Sequence, residues 1–386
     1  MTPLSTLQIG AGWFPENPGG LDRYFYELLR ALPGVDVDCR GLVIGTGRVA
    51  AESSGRVRAF AARGDSLVKR WFAARDAMAQ TLAELGQRCL VSAHFSLYAH
   101  PGLRGMVTQN RPMVVHFHGP WATESQHEGA GRIVTWIKHR LECSVYRHAA
   151  AFITLSTAFR DLLCRQYAID PARVHVIPGG VDIRRFESAL AAARAQARLR
   201  FGLPADRPIV LSVRRLVSRM GLENLIDAMI RVRVEVPDAL CVVVGRGKLR
   251  DQLIARIARK HLQSHVQLLG FVPDEQLPFL YRAADLTVMP SLSLEGFGLS
   301  AVESLAAGTP VLVTPVGGLP EVVRDLNPNL VMPGADIGAL AGSIIGSLVN
   351  PRALPTSEAC AAYVRRKFHW PIIARQIRSV YEAALN

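Results

Sequence analysis

Thr287–Val322 reads TVMPSLSLEGFGLSAVESLAAGTPVLVTPVGGLPEV, and this stretch decides the fold. Leu286–Met289 has the length and composition of a short buried strand, Pro290–Leu294 is a loop, and Ser300–Ala307 carries helix formers up to a stop at Gly308. Pro310–Thr314 is then a second buried strand. This order sets Glu295 and Glu303 around one helix start, with Gly296 and Gly298 between them. The unpaired N–H groups and positive dipole end of a helix start attract an anion, and flanking glycines let a phosphate approach the backbone. An anion site with a carboxylate on either side suits a ligand that is negative in its middle and hydroxyl-rich at both ends, as a sugar nucleotide is. The competing reading is a buried strand–helix–strand unit with two surface glutamates.

The motif EGFGLSAVE followed by AAGTPV resembles the donor-site motif of the retaining GT-B glycosyltransferases of family 4, glycosyl transferases group 1. The resemblance covers nearly the whole chain, and its most specific motifs lie in the second half. It implies an α/β protein of two facing Rossmann-like parallel-sheet domains with an inter-domain cleft. The expected ranges are an acceptor-side domain over 1–185, a donor domain over 186–366, and 367–386 crossing back to the first. It also implies a hexosyltransferase that needs no metal and no cofactor, the nucleotide sugar being a co-substrate.

Composition agrees with a folded chain of this size. At 386 residues, with 49% hydrophobic and 20% charged residues, the chain can bury two sizeable cores. The net charge of +13 favours anionic partners: nucleotide diphosphates, nucleic acid or an anionic membrane face. Cys39, Cys89, Cys143, Cys164, Cys241 and Cys360 form no CxxC pair and read as reduced thiols of a cytoplasmic protein. With no apolar stretch of spanning length and no leader-like start, neither secretion nor membrane spanning is expected.

In the first half, Leu7–Ala11 is a strand, Pro15–Gly20 a turn-rich loop, and LDRYFYELLRAL from Leu21 an amphipathic helix. Pro15 stands where a GxGxxG fingerprint needs its third glycine, which weakens a dinucleotide reading. Gly19 and Gly20 match instead the family's glycine loop near the donor phosphates and the acceptor. Asp36 and Asp38 form a DxD with no nearby acid or His cluster to complete a metal site. From Arg56 to Arg75, basic residues alternate with Val57, Phe60, Leu67, Val68, Trp71 and Phe72. This segment reads either as a membrane-interface element or as an amphipathic helix whose aromatics are core. The strand Met113–Phe117 delivers His118 at its C-terminal end, with His116 on the same side and His94 the one further candidate for a zinc ligand set. His118 matches the family histidine beside the reaction centre, where it donates to a donor-sugar hydroxyl and positions the acceptor; a structural histidine is the competing reading. In PGGVD, Gly179–Gly180 replaces the family's usual asparagine–glycine pair.

In the second half, Arg184–Gly202 reads as helical and Ile209–Val213 restarts the strand–helix alternation. SVRRLVSRMG resembles the family's diphosphate grip, an arginine at a strand end and a lysine five residues later. Arg215 takes the arginine position and Met220 the lysine position, so Arg219 or Arg214 supplies the second cation or the site works with one. Met220→Lys is then expected to be tolerated. Backbone groups at Phe271 and Val272 are where the family holds the nucleotide base. The expected catalytic residues are His118, Glu295 and Arg215. Glu295 is expected to accept from the hexose and Glu303 from the ribose, with Gly296, Phe297, Gly298 and Leu299 offering backbone contacts. The implied reaction moves a hexose from a UDP- or GDP-sugar to a glycan or lipid-linked acceptor in polysaccharide or glycolipid assembly, at or near the inner face of the plasma membrane, with no nucleic-acid partner. The rival readings are a nucleotide-sugar epimerase of the same fold and a non-catalytic protein that binds anions or membranes.

Overall fold

The computed structural model of the chain describes residues 4–385 and divides into two compact units. One runs to Gly180 and resumes at Trp370; the other spans Val181–His369. The sequence reading had set the divisions after residues 185 and 366, and the ends of its ranges, residues 1–3 and 386, lie outside the described residues.

The first unit is a seven-stranded sheet. Its strands are β1 (Leu4–Gly12), β2 (Val37–Ile44), β3 (Val57–Ala61), β4 (Cys89–Ala93), β5 (Met113–Phe117), β6 (Ala151–Thr154) and β7 (Val174–Val176). They lie in the order β3-β2-β1-β4-β5-β6-β7, every pair parallel. Parallel strands joined by helical crossovers are covered on both faces, which is why β4 and β5 are buried at every position rather than alternating. The helix Trp370–Leu385 returns to this unit and buries Ile373, Ile377 and Tyr381 in one of its two cores, with Phe25 and Leu28. The indole of Trp370 donates to Glu27 Oε2 at 2.5 Å.

The second unit is a five-stranded parallel sheet of β8 (Ile209–Val213), β9 (Leu240–Val244), β10 (Val266–Gly270), β11 (Leu286–Met289) and β12 (Val311–Val313), ordered β10-β9-β8-β11-β12. In each sheet the winding reverses once: between β1 and β4 in the first, between β8 and β11 in the second. Loops leaving the C-terminal ends of the two strands at such a reversal diverge to opposite faces and open a crevice for a ligand. Here those ends deliver Gly12–Gly20 and His94 in the first unit, and Arg214–Gly221 and Pro290–Gly298 in the second.

Two local expectations are corrected. Arg184–Gly202 is two helices, Arg184–Ala191 and Arg194–Arg200, broken at Ala192–Ala193. The second is fixed by tertiary contacts: Arg194 and Arg198 pair with the Asp285 carboxylate at 2.8 and 2.6 Å, and Arg198 Nε donates to the Ala283 carbonyl at 3.0 Å. The basic segment Arg56–Arg75 is not one amphipathic helix. Its first half is edge strand β3, and a helix starts only at Leu67, where the Ser66 hydroxyl accepts from Lys69 N.

Candidate functional site

The C-terminal end of β8 carries two adjacent arginines that part company. Strand alternation continues past Val213, so Ser212, Arg214 and Leu216 are buried while Arg215 is exposed. Arg214 Nη2 donates to Ser291 Oγ at 2.7 Å, lies 2.7 Å from Met220 Sδ, and pairs with Glu295 Oε2. The Ser291 hydroxyl donates to the same Glu295 oxygen at 3.1 Å. Burial alone would push the Glu295 carboxyl up, but the Arg214 charge and hydrogen bond, the nearby Arg219 and the Ser291 hydroxyl outweigh it and hold the group below its ordinary value. Arg219 Nη1 ties the same loop by donating to the Leu294 carbonyl at 2.8 Å.

Beyond Glu295 the chain makes a close turn into the helix Leu299–Ala306. Gly298 caps it at φ +90°, a conformation that side chains resist, and a Cβ there would overlap Leu319. Gly317 passes so near the Glu295 carbonyl that any side chain would displace it, and Gly318 N donates to that carbonyl at 2.9 Å. Gly296 and Leu299 are half-buried on this turn. The Phe297 ring is core, edge-on to Phe368 at 5.6 Å, so only its backbone is left for a ligand. Glu303, one turn into the helix, is buried; it accepts from Tyr281 OH at 3.0 Å and lies 3.9 Å from Arg185 Nη1. At the end of β10, Phe271 is exposed with the Arg246 guanidinium over its ring at 4.3 Å, and Val272 is buried.

In the first unit, Gly19 and Gly20 start the helix Gly20–Ala31. The loop before them is tied by buried Asp22, whose carboxylate accepts from Gly12 N at 2.8 Å and from the Asn17 amide. His118 lies just past β5, its ring nearly parallel to His94 at a centroid distance of 5.5 Å. His94 Nδ1 is 3.2 Å from His118 Nε2, and His94 Nε2 is 3.0 Å from Gln8 Oε1. His116 sits between Tyr24 OH at 3.2 Å and Tyr381 OH at 2.8 Å. Burial disfavours the charged form of all three histidines, and His118 is pushed down to about 4. At neutral pH they form a neutral hydrogen-bonded stack. Among the described residues, no group of three or more His, Cys, Asp or Glu side chains is placed to hold a metal ion.

The structure thus brings Glu295, Arg219, Gly296, Gly298 and Leu299 to one turn, puts Glu303 on the helix it starts, and places Arg215 on the neighbouring strand end. Within the other unit Gly19 and Gly20 end the loop from β1 at the sheet reversal, and His118, past the next strand β5, meets His94 of the β4 end. Sequence reasoning left the choice between Arg214 and Arg219 open and missed Ser291, Tyr281 and Arg185. The alternation of apolar Leu216 with Arg214 was the available signal for which arginine turns inward. The expectation that Met220→Lys is tolerated is revised, because Arg214 already lies against Met220 and an ammonium would face a guanidinium there.

Comparison with known proteins gives the chain its relatives. Residues 18–185 match the model for Glycosyltransferase Family 4, and residues 194–367 match that for Glycosyl transferases group 1. Over 318 residues the chain is 32% identical to a D-inositol 3-phosphate glycosyltransferase of Streptomyces scabiei, spanning 78% of this chain and 69% of the relative. It is 29% identical over 303 residues to a glycogen synthase of Mycobacterium tuberculosis, covering 76% and 69% of the two chains. Among solved structures, Anabaena Alr3699/HepE in complex with UDP and glucose superposes with a TM-score of 0.78 at 22% identity, covering 98% of this chain and all (100%) of the other. With two parallel-sheet units, each reversing its winding once, the chain belongs to glycosyltransferase family 4 and is a GT-B glycosyltransferase.

Proposed function

We propose that the enzyme transfers a hexose, with retention of configuration, from a UDP- or GDP-hexose to a glycan or lipid-linked acceptor. The observation that carries this reading is the ionised Glu295, held by Arg214 and Ser291 at the turn into the helix Leu299–Ala306. Glu295 accepts from hexose hydroxyls and Glu303, steadied by Tyr281, from the ribose. Arg215, the exposed member of the arginine pair, takes the diphosphate together with Arg219 and the N–H groups of the helix start. The base rests on backbone at Phe271 and Val272. Gly19, Gly20 and His118 meet the donor and the acceptor.

In the reaction the bond from the anomeric carbon to the diphosphate breaks as the acceptor hydroxyl bonds to the same face of that carbon. The hydroxyl proton leaves with the departing diphosphate. Charge grows on the diphosphate as this happens, and preorganised donors placed where charge develops are worth roughly 10²–10³ in rate apiece. Titration calorimetry with UDP, GDP and ADP, followed by a thermal-shift screen of nucleotide sugars, tests the donor assignment. Arg215→Ala should fold normally and lose transfer; full activity in that variant would remove the phosphate assignment.

An anionic membrane is the partner that the surface of the first unit favours. Ile133, Val134, Trp136 and Ile137 are all exposed on the helix Arg132–Arg147, Ile133 at 76% and Trp136 at 62%. Leu67, Val68 and Phe72 are exposed on the helix Leu67–Glu84, and both helices pack against Ser96–Gly102. From Gly129 to Leu141 the sequence holds Arg132, Lys138 and Arg140 and no carboxylate. An apolar strip with a tryptophan and neighbouring cations suits the headgroup region of an anionic leaflet, where a lipid-linked acceptor would be met. Flotation with vesicles of phosphatidylcholine alone and with phosphatidylserine added tests this. Binding should need the anionic lipid and be lost in Ile133→Glu/Trp136→Glu; equal binding to both vesicles would end the idea.

A further inference from the structure

The hydrogen bonds around His118 run in one direction, and that direction fixes which of its nitrogens carries the proton. The chain starts on the backbone of β2. Thr6 Oγ1 donates to the Asp38 carbonyl at 3.2 Å, so its oxygen accepts from Gln8 Nε2 at 3.0 Å. The other end of the Gln8 amide, Oε1, then faces His94 Nε2 at 3.0 Å. An amide oxygen only accepts, so His94 carries its proton on Nε2. Buried and neutral, His94 has a bare Nδ1, and the atom facing it at 3.2 Å is His118 Nε2. The rest of the cluster accommodates the same direction. Ser92 Oγ, 3.3 Å from His94 Nε2, can accept from it and donate its own proton to Tyr381 OH at 2.9 Å, which leaves Tyr381 able to donate to His116 Nε2 at 2.8 Å. Gln8, Thr6, Ser92, His94 and Tyr381 are all buried, so water does not compete for these groups.

We infer that Gln8, acting through His94, holds His118 as its Nε2–H tautomer, so that His118 meets a substrate hydroxyl through Nδ1 as an acceptor. This reverses the donor role expected for His118 from the sequence. Gln8 and His94 are positioning residues, set behind the histidine and not touching substrate. The ligand group recognised is a hydroxyl that donates its proton, such as a sugar or acceptor hydroxyl, and a fluoro or deoxy analogue at that position would lose the contact. The functional half of the inference rests on the reading that His118 faces substrate; the tautomer does not.

Long-range ¹H–¹⁵N correlation spectra of the full chain labelled with [¹⁵N]histidine read the tautomer directly, with His94→Ala and His118→Ala spectra assigning the signals. The expected result at neutral pH is a pyridine-type Nδ1 and a pyrrole-type Nε2 for both His118 and His94. A pyrrole-type Nδ1 on His118 would overturn the inference. Gln8→Met, which removes the acceptor that orients His94, should give a mixture of tautomers at His118 and lower kcat roughly tenfold, about the worth of one hydrogen bond. If that variant does not fold, the wild-type spectrum alone decides the tautomer. If His118→Ala keeps full transfer while the spectrum is as expected, the relay stands and the placement of His118 at the substrate falls.

Discussion

Replacing Arg214 by leucine tests the centre of the site. In the folded protein the Arg214 side chain is 6% exposed and Glu295 is 14% exposed, so neither charge is solvated well enough to stand alone. Removing one member of a buried pair leaves the other uncompensated, which typically costs about 3–5 kcal/mol. In a unit of this size each kcal/mol moves the melting temperature by roughly 2–4 °C, so the transition of the second unit should fall by roughly 6–20 °C.

The loss should depend on pH in a fixed direction. In the wild type Glu295 lies below its ordinary value of 4.5, so the pair stabilises the fold above that pH and the contribution is lost as pH falls through the folded-state value. In Arg214→Leu burial, the largest influence on the carboxyl, is opposed only by Arg219 and the Ser291 hydroxyl, so the carboxyl rises and the variant recovers stability on acidification. The gap between the two proteins should be widest near pH 7 and close towards pH 4. Calorimetry at both pH values measures it, and adding Glu295→Gln to Arg214→Leu should recover much of the loss. A variant melting with the wild type at pH 7, or strict additivity of the two substitutions, would refute the pairing.

Met220→Lys should destabilise the second unit, by roughly 1–3 kcal/mol for an overpacked site and more for the repelled charge; Arg214→Ala/Met220→Lys should melt higher than Met220→Lys alone. Glu142 is lifted to about 7 by burial, against hydrogen bonds from Tyr167, Ala122 and Trp121. Its folded value lies above its ordinary one, so its contribution is present at acid pH and lost as pH rises through about 7. Acidification from pH 8 to pH 5.5 should therefore favour the wild type over Glu142→Gln, a difference read between the two proteins because the depressed His94, His116 and His118 of the same unit push the absolute melting temperature the other way. Tyr281→Phe removes the hydroxyl that Glu303 accepts from, and should raise the donor KM with a stability loss of about 1–2 kcal/mol, read by kinetics and thermal unfolding.

The strands were legible because short β-branched runs such as Val210–Val213 and Leu240–Val244 leave little choice, and the motif around Glu295 carried its own turn chemistry in Gly298. The break at Ala192–Ala193 was not legible, because alanines permit a helix and it is Asp285, far along the chain, that redirects Arg194 and Arg198. Arg56–Arg75 failed for a related reason: charge and aromatic content do not say whether Val57–Ala61 has a strand to pair with, and β2 supplies one. Glu303 was found by its spacing but Tyr281 was not, since the two meet only after a crossover brings the helix Leu277–Ala283 to the helix Leu299–Ala306.

The arginine pair shows how a departure from a motif can be absorbed without losing its electrostatics. Read as a line of text, SVRRLVSRMG lacks a lysine and seems to lack a charge. In the folded unit Met220 is buried, and a lysine there would have to carry its ammonium among Ser291, Glu295 and Arg214. The strand instead delivers a guanidinium from Arg214 to that spot, touching the methionine sulfur, the serine and the carboxylate with a single nitrogen. Because neighbouring strand residues point to opposite faces, filling the inner position with Arg214 leaves Arg215 turned outward and exposed. One cation fixes the carboxylate while the next faces outward, and that separation follows from the strand period and two adjacent arginines.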